Sequence, residues 1–171
     1  MTSVQYDVDG YVTDGPYKGY HRMHIAVMWD DIDYVRNNHN HVNVRSTGMF
    51  TPLHKAAQRR AYKIAKVLIT GGADVNLVSS YDYAALHYAV DGPTLADRKI
   101  AELLLWNGAN VNYRPTTGWV PLAIALIYSK RLVDTLLEFG ARVRDLAPID
   151  LMRCSPANLE SLERARKWQE S

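Results

Sequence analysis

The stretch TPLHKAA, from Thr51 to Ala57, decides how the rest of the sequence is interpreted. A threonine hydroxyl can cap a helix, and Pro52 then takes the first helical position, where its missing amide hydrogen costs no bond. The stretch therefore predicts the start of a helix. Whether His54 serves chemistry or the backbone depends on whether this pattern occurs once or recurs.

The pattern recurs along the chain, which is the signature of a repeat architecture. Degraded copies begin at His21, Ala84 and Val120, so that the four starts lie 30, 33 and 36 residues apart in chain order. A second signature, read as HVN, GGADVN and NGANVN, ends eight residues before each later copy. Its final residues are Asn43, Asn76 and Asn112.

Each copy reads as a cap, a short Ala-rich helix, a polar break, a second helix and a turn that contains glycine. The second copy shows this most fully, because AYKIAKVLIT places Ile64, Val67 and Leu68 at helical spacing before Gly71 and Gly72. These residues closely resemble the ankyrin repeat, a unit of about 33 residues with two antiparallel helices and a projecting β-turn. The resemblance implies an all-α ankyrin-repeat solenoid with short β-turn connectors.

The resemblance implies about four repeats followed by a pair of C-terminal capping helices, since terminal units of such stacks are atypical. The first unit reaches its asparagine early, which predicts a short second helix. The third unit is longer because DGPTLADRK replaces a tight turn, and we expect this insertion to project from the helix ends. The predicted units are an N-terminal extension at 1–18, repeats at 19–46, 47–79, 80–115 and 116–146, and capping helices at 147–171.

In the resembled family the histidine of the TPLH motif is structural: it bonds the threonine of its own motif and the backbone of a neighbouring loop. The resemblance gives this role to His54, and His24 and His87 hold equivalent places. The fourth copy carries Ala123 there, so we expect packing to hold that repeat instead.

Composition limits the classes of function. The chain has 171 residues, of which 47% are hydrophobic, enough for one domain with a real core. Its 20 basic and 18 acidic residues give a net charge of +2, so we expect no nucleic-acid partner. No apolar run predicts a signal peptide or a membrane span, and the single cysteine, Cys154, fits a reducing compartment. We expect a cytoplasmic protein, with the nucleus left open.

Candidate catalytic or metal-binding residues are sparse. His21 with His24 and His39 with His41 have spacings that a metal site can use. However, the repeat already uses His24, and NHNH lies at a polar helix end. Cys154 has no Gly-rich oxyanion turn beside it, and no P-loop is present. We predict no catalytic residue, no cofactor and no metal.

The stretch from Thr51 to Ala73 contains several basic residues and no acidic residue. Helical spacing spreads Arg59, Lys63 and Lys66 along one side of the second helix of this repeat. A solvated face is the ordinary interpretation. The functional interpretation is an acidic protein partner or a phosphorylated segment, and a third is an internal match to the DDID stretch of the preceding repeat.

An aromatic residue stands directly before each TPLH-like start, at the turns that project from the stack: Tyr20, Phe50, Tyr83 and Trp119. Packing between turns is one explanation, but partly exposed aromatics in a row are also what protein interfaces prefer. In the resembled family the turn tips and the residues that end the first helix form the concave binding face. The predicted partner-binding residues are Met28, Trp29, Phe50, Gln58, Arg59, Tyr81, Tyr83, Trp119 and Tyr128.

We predict a non-catalytic protein-binding module that acts as an activating or scaffolding regulatory subunit of a protein complex. Two versions remain open. In length and repeat-only architecture the chain is similar to small ankyrin subunits of protein kinases that control the cell cycle or DNA replication. It is also similar to IκB-like ankyrin inhibitors of Rel-type transcription factors, a version that predicts an acidic concave face.

Overall fold

The computed structural model describes residues 4–152 and 154–169, and the regular structure within these ranges is helical. Two short 3₁₀ helices lie at His39–His41 and Val143–Asp145, and a few isolated β-bridges join turns. The α-helices in chain order are α1 (Arg22–Met28), α2 (Ile32–Asn37), α3 (Pro52–Gln58), α4 (Tyr62–Thr70), α5 (Ala85–Ala89), α6 (Leu95–Trp106), α7 (Pro121–Tyr128), α8 (Lys130–Glu138), α9 (Pro148–Met152) and α10 (Pro156–Gln169).

The helices form two layers, which confirms the predicted all-α solenoid. Helices α1, α3, α5 and α7 pack side by side as an inner layer, and α2, α4, α6, α8 and α10 follow as an outer layer. Each inner helix also packs on the outer helix of its own unit. Helix α2 has only six residues, as the early asparagine predicts. The unit boundaries themselves stay predictions.

Small and large side chains alternate in the core between the layers. Ala56, Ala65 and Ala101 are fully buried, which allows neighbouring helices to approach closely. Leu68 and Leu104 fill the space between outer and inner helices and are also fully buried. Ala123 is buried in α7, in accord with the expectation that packing holds the fourth repeat.

Thr51 and His54 begin α3 as the TPLH pattern predicts. The Thr51 hydroxyl accepts from the His54 amide at 3.4 Å, and the Thr51 amide donates to Nδ1 of His54 at 3.0 Å. Because Nδ1 accepts, the ring proton lies on Nε2, which donates to the Tyr83 carbonyl oxygen at 2.9 Å. His54 therefore ties its own helix start to the turn of the next repeat, and its predicted structural role is confirmed.

The two equivalent histidines differ from each other. Nε2 of His24 lies 2.8 Å from the Phe50 carbonyl oxygen, so this ring repeats the link that His54 makes. His87 does not: its Nδ1 lies 3.3 Å from the Ala84 carbonyl oxygen, and its Nε2 has no hydrogen-bond partner among the described residues. Its motif starts with alanine, which offers no hydroxyl. The role that the resemblance implies is therefore incomplete at both histidines. Among the described residues, Nδ1 of His24 has no partner in its own motif, and His87 makes no bond to a neighbouring loop.

Asparagines of the second signature form a ladder between repeats. Asn76 donates from Nδ2 to the Gly108 carbonyl oxygen at 3.0 Å and accepts the Asn110 amide at 2.8 Å. Asn43 and Asn112 make the same pair of bonds one repeat earlier and one repeat later. At the end of the stack Gln169 of α10 takes over, bonding the Ala141 carbonyl and the Val143 amide.

The DGPTLADRK insertion does not project as expected. Thr94 and Asp97 form a capping box, so that α6 begins at Leu95 and runs for 12 residues, against 9 in α4. Asp97 is buried and accepts from Nε of Arg60 at 2.8 Å, across the boundary with the preceding repeat. The extra residues are therefore drawn into a longer helix, because capping and an ion pair fix them there.

The predicted C-terminal helix pair is present as α9 and α10. Pro148 opens α9, and the Ala147 amide donates to the Asp150 carboxylate at 2.7 Å, as the Thr51 amide does to His54. Helix α10 packs on α8, and its Asn158 also reaches α7, where the side-chain amide donates to the Leu126 carbonyl oxygen at 3.0 Å. The last unit thus keeps the repeat geometry with an aspartate in place of the histidine.

Replacing His54 with alanine should destabilise the protein more than replacing His87, although both side chains are buried. His54→Ala leaves the Thr51 amide without a partner and removes one of the two hydrogen bonds to the Tyr83 carbonyl, whereas His87→Ala removes one long hydrogen bond. We expect the loss in unfolding free energy to be larger at His54 by about 1–3 kcal/mol. Urea denaturation followed by circular dichroism measures both losses, and equal losses would contradict the structural role of the links.

Acidification should destabilise the stack between pH 6.5 and about 4. Burial lowers the pKa of His24, His54 and His87 to about 4. In that window the unfolded chain binds protons that the folded state excludes, so stability falls as the pH falls, by up to about 1.4 kcal/mol per pH unit for each histidine. Urea midpoints measured at pH 7, 6, 5 and 4 test this.

The contribution of the histidines to that pH series can be separated from that of the carboxylates. Hydrogen bonds hold the pKa of Asp82 and Asp134 below the usual 3.8, so protonation of these two carboxylates destabilises the protein at a lower pH than protonation of the histidines. His54→Gln cannot titrate and should flatten the dependence relative to the parent protein. If the urea midpoint of the parent protein does not change with pH, or if His54→Gln leaves that change as it is, the result would be inconsistent with neutral buried imidazoles.

Candidate protein-binding surface

An open hollow of about 430 Å³ lies where the projecting turns of repeats two, three and four meet the inner helices. We call it the aromatic hollow. It contains four of the nine predicted partner-binding residues. Its lining residues are Phe50, Gln58, Ser80, Tyr81, Tyr83, Tyr88, Thr116 and Thr117.

The turns present these residues because their backbones are built alike. The Ser46 amide donates to the Phe50 carbonyl, and the Ser79 amide donates to the Tyr83 carbonyl, at 2.9 and 3.0 Å. Each turn has one non-glycine residue at positive φ just before its aromatic, Met49 at 58° and Asp82 at 62°. The two turns are joined where the Ser80 amide donates to the Gly48 carbonyl at 3.0 Å. Equivalent residues of successive turns therefore lie beside each other.

Aromatic contacts make the floor of the hollow. Phe50 meets Tyr81 and Tyr88 with ring centroids 5.9 and 6.0 Å apart. Tyr83 stacks on His87 at 4.9 Å, and it meets Tyr88 edge-on at 5.9 Å. Such pairs each stabilise by about 0.5–1.5 kcal/mol beyond the area they bury. The floor is thus fixed before any partner arrives.

Polar groups fix the rim. The Tyr88 hydroxyl lies 3.2 Å from the Ser79 hydroxyl, and Thr117 donates to the Tyr83 hydroxyl at 3.3 Å. Asp82 accepts from the Tyr113 hydroxyl and from the Thr116 amide. The Tyr113 hydrogen bond is the main cause that lowers the pKa of the Asp82 carboxyl. The same bond raises the pKa of Tyr113, so the pair stays a phenol that donates to a carboxylate.

Lys55 gives one side of the hollow a positive charge. Its ammonium nitrogen lies 4.2 Å from the ring centroid of Phe50 and 5.1 Å from that of Tyr20. It also donates to the Gln58 side chain at 3.2 Å. The cation–π contacts and this bond hold the charge beside the aromatic floor rather than in open solvent.

Phe50 departs from the expectation of a partly exposed aromatic row. Only 9% of it is exposed, because the rings of Tyr81 and Tyr88 cover it. Tyr81, at the turn tip, is 66% exposed and is the aromatic that solvent reaches most easily in this turn. Tyr83 and Trp119 are half-buried, and Trp119 packs against the core. The most exposed aromatic ring of this turn therefore belongs to Tyr81, which is not a member of the predicted row.

The other predicted residues lie outside the hollow. Trp29 is exposed in the first repeat, where it meets Tyr17 edge-on at 6.4 Å, and Met28 beside it is half-buried. Arg59 is exposed at the end of α3. Tyr128 is exposed at the end of α7. The structure does not gather these four residues with the aromatic floor.

Sequence reasoning missed Tyr88, which lies at the centre of the ring contacts. It follows the motif histidine of repeat three, as Lys55 follows the motif histidine of repeat two. Tyr88 lines the hollow, and the Lys55 ammonium group lies over the ring of Phe50, which is one of the lining residues. The signal that could have found them is this shared register position, because equivalent residues of a repeat stack line the same face.

Metal and membrane features are not evident in the described ranges. Residues 4–152 and 154–169 contain no group of three or more His, Cys, Asp or Glu side chains placed to hold a metal ion. His21 and His41 lie with ring centroids 4.8 Å apart, and burial lowers the pKa of His21. Among the helices of the same ranges, none has the length and apolar character needed to cross a membrane.

Comparison with known proteins identifies one family. The model of ankyrin repeats, in three copies, matches residues 23–115, which is more than half of the chain. A putative ankyrin repeat protein of Acanthamoeba polyphaga mimivirus is 32% identical over 111 residues, covering 63% of this chain and 14% of that protein. A putative ankyrin repeat protein of fowlpox virus is 31% identical over 125 residues, covering 66% and 36%.

A third relative carries a more specific description. The probable 26S proteasome regulatory subunit p28 of Saccharomyces cerevisiae is 28% identical over 126 residues, covering 70% of this chain and 53% of that protein. The chain thus spans from about a seventh to about half of the length of these three relatives.

Proposed function

Because the chain belongs to the ankyrin-repeat family, a non-catalytic protein-interaction fold, we propose that it binds a partner protein through the aromatic hollow and acts as a regulatory or scaffolding subunit of a protein complex. The observation that carries this proposal is the convergence of Phe50, Tyr81, Tyr83 and Tyr88 from adjacent turns on one open hollow. The partner is held by surface complementarity, without a chemical step.

The geometry of the hollow suits an apolar anchor with polar neighbours. Tyrosine and other aromatic residues supply most of the binding energy at many interfaces, because they bury a large area at low entropic cost. Tyr81 offers an exposed ring over a fixed floor, and Ser80 and Thr116 lie at the rim. Lys55 adds a positive charge at one side. The partner segment therefore combines an apolar side chain with a neighbouring acidic one.

A regulatory role draws support from the yeast relative, which is described as a probable regulatory subunit of the 26S proteasome. In the kinase version of the proposal, the chain serves a protein kinase as a regulatory subunit, as the small ankyrin subunit Plutonium does in the Pan gu kinase complex. The alternative, an IκB-like inhibitor of a Rel-type factor, predicts an acidic concave face, and Lys55 beside the hollow is evidence against it.

Partner capture should depend on the exposed part of the hollow. A tagged protein is incubated with extract of its own source cells, and bound proteins are quantified by mass spectrometry and then titrated as pure proteins. The double variant Tyr81→Ala with Tyr83→Ala removes two aromatic side chains from the hollow. It should weaken binding of the specific partner at least tenfold, since an interface hot spot contributes about 2 kcal/mol or more.

The matched control is Trp168→Ala, which removes another exposed aromatic at the far end of the stack. It should leave capture unchanged, and circular dichroism should show that all variants fold. A partner that binds the double variant as tightly as the parent would place the binding face elsewhere. A captured kinase whose activity responds to the chain supports the kinase version, and a captured Rel-type factor supports the inhibitor version.

A further inference from the structure

A second surface lies on the other side of the molecule from the turns, at the ends of the helices. A groove of about 780 Å³ runs between the end of α3, the start of α4 and the start of α6. None of its lining residues lines the aromatic hollow. Four cationic side chains border it, and we call it the basic groove: Arg59, Arg60, Lys63 and Lys99.

The charges of the groove are poorly neutralised. Arg60 is anchored by buried Asp97 at 2.8 Å, and 44% of its side chain remains exposed. Arg59, Lys63 and Lys99 are exposed and form no ion pair or side-chain hydrogen bond within residues 4–152 and 154–169. Asp30 is the acidic residue at the border. Once Asp97 and Asp30 are set against the four cations, a net charge of +2 remains around one open groove.

The internal explanation for these charges holds only in part, because Asp30, the first residue of the DDID stretch, borders the groove. The DDID stretch of the first repeat uses Asp31 to cap α2 and Asp33 to pair with Arg36 at 2.8 Å. No ion pair joins this stretch to the basic residues of α4 within the described ranges. The start of α4 adds to the positive potential, because Ala61 provides no capping side chain for its first amides. The basic stripe of the sequence thus remains open to an external anion.

The groove continues into a depression of about 340 Å³ that is partly apolar and partly charged. Tyr62 and Lys99 line both, and Leu103, Trp106 and Glu102 line the depression. The Glu102 carboxylate is paired with Arg98 at 3.0 Å. Trp106 is 77% exposed, and its ring meets Phe139 edge-on with centroids 4.9 Å apart. An aromatic held in place by a second ring and left open to solvent is typical of an interaction site.

We propose that the basic groove and the Trp106 depression together bind an acidic segment of a partner protein. Carboxylates of the segment lie along Arg59, Arg60, Lys63 and Lys99, and an apolar side chain follows them onto Trp106. The cations are spread along an open groove rather than focused on one point, so several carboxylates fit them better than one phosphoryl group. This surface is separate from the aromatic hollow, so the chain can hold two partners, or two parts of one partner.

The test uses the full chain and fluorescence anisotropy. The probe is a labelled peptide that places a run of glutamates before a single leucine, and its counterpart has glutamine at every glutamate. We expect the glutamate peptide to bind with an affinity that weakens as salt is added, and the glutamine peptide to bind at least tenfold more weakly. Absence of binding by the glutamate peptide, or equal binding of both peptides, would overturn the proposal.

A charge-matched pair of variants locates the site. Lys63→Glu with Lys99→Glu should weaken the glutamate peptide at least tenfold. Lys18→Glu with Arg131→Glu makes the same change in net charge at exposed positions away from the groove, and should change affinity less than twofold. An equal loss of affinity in both pairs of variants would show that the peptide responds to net charge alone, and would overturn the basic groove as its binding site. All four side chains are exposed, so circular dichroism should show folded variants.

Further measurements test other classes of ligand for the groove and distinguish the groove from the aromatic hollow. A phosphoserine peptide or a single-stranded oligonucleotide that binds more tightly than the glutamate peptide would overturn the acidic segment as occupant. Trp106→Ala should weaken the glutamate–leucine peptide but leave a peptide without leucine unchanged, and an equal effect on both would contradict the apolar contact. Tyr81→Ala with Tyr83→Ala should bind the glutamate peptide normally, which distinguishes failure here from failure of the aromatic hollow.

Discussion

Hydrogen bonds from a side chain of one repeat to the backbone of the next hold this stack in register. The His54 imidazole reaches the Tyr83 carbonyl on the turn side, and the Asn76 amide reaches Gly108 and Asn110 on the side of the outer helices. The helices they join are short, five residues in α5 and six in α2, and such helices are not stable alone in water. Because each bond joins a side chain of one repeat to the backbone of the next, the bonds that stabilise the stack also set the register between its units.

The sequence predicts those features that depend on local chemistry repeated at a fixed period. Helix starts at Thr51 and Pro52, the loop contact of His54 and the short second helix of the first unit all follow from the repeat pattern. The burial of Phe50 does not, because it depends on rings from Tyr81 and Tyr88 that belong to another repeat. Burial by side chains of another repeat cannot be predicted from the local spacing of residues.

The DGPTLADRK insertion shows a second limit of the sequence. Glycine and proline suggest a loop, but Thr94 and Asp97 make a capping box that extends α6, and Arg60 of another repeat fixes the aspartate. Of the candidate site, the pattern found Phe50, Gln58, Tyr81 and Tyr83 but missed Tyr88. It also predicted Trp29 and Tyr128, which belong to the first and fourth repeats and do not line the same hollow.

The amide of Gln169 ends the asparagine ladder from a helix rather than from a turn. Where a further asparagine would stand, the sequence has Arg144, and α10 of the same chain already covers the exposed face of α8. This face of α8 is therefore covered by the chain itself: an outer helix offered to α8 by a second molecule must first displace α10, together with the two hydrogen bonds that Gln169 makes to Ala141 and Val143.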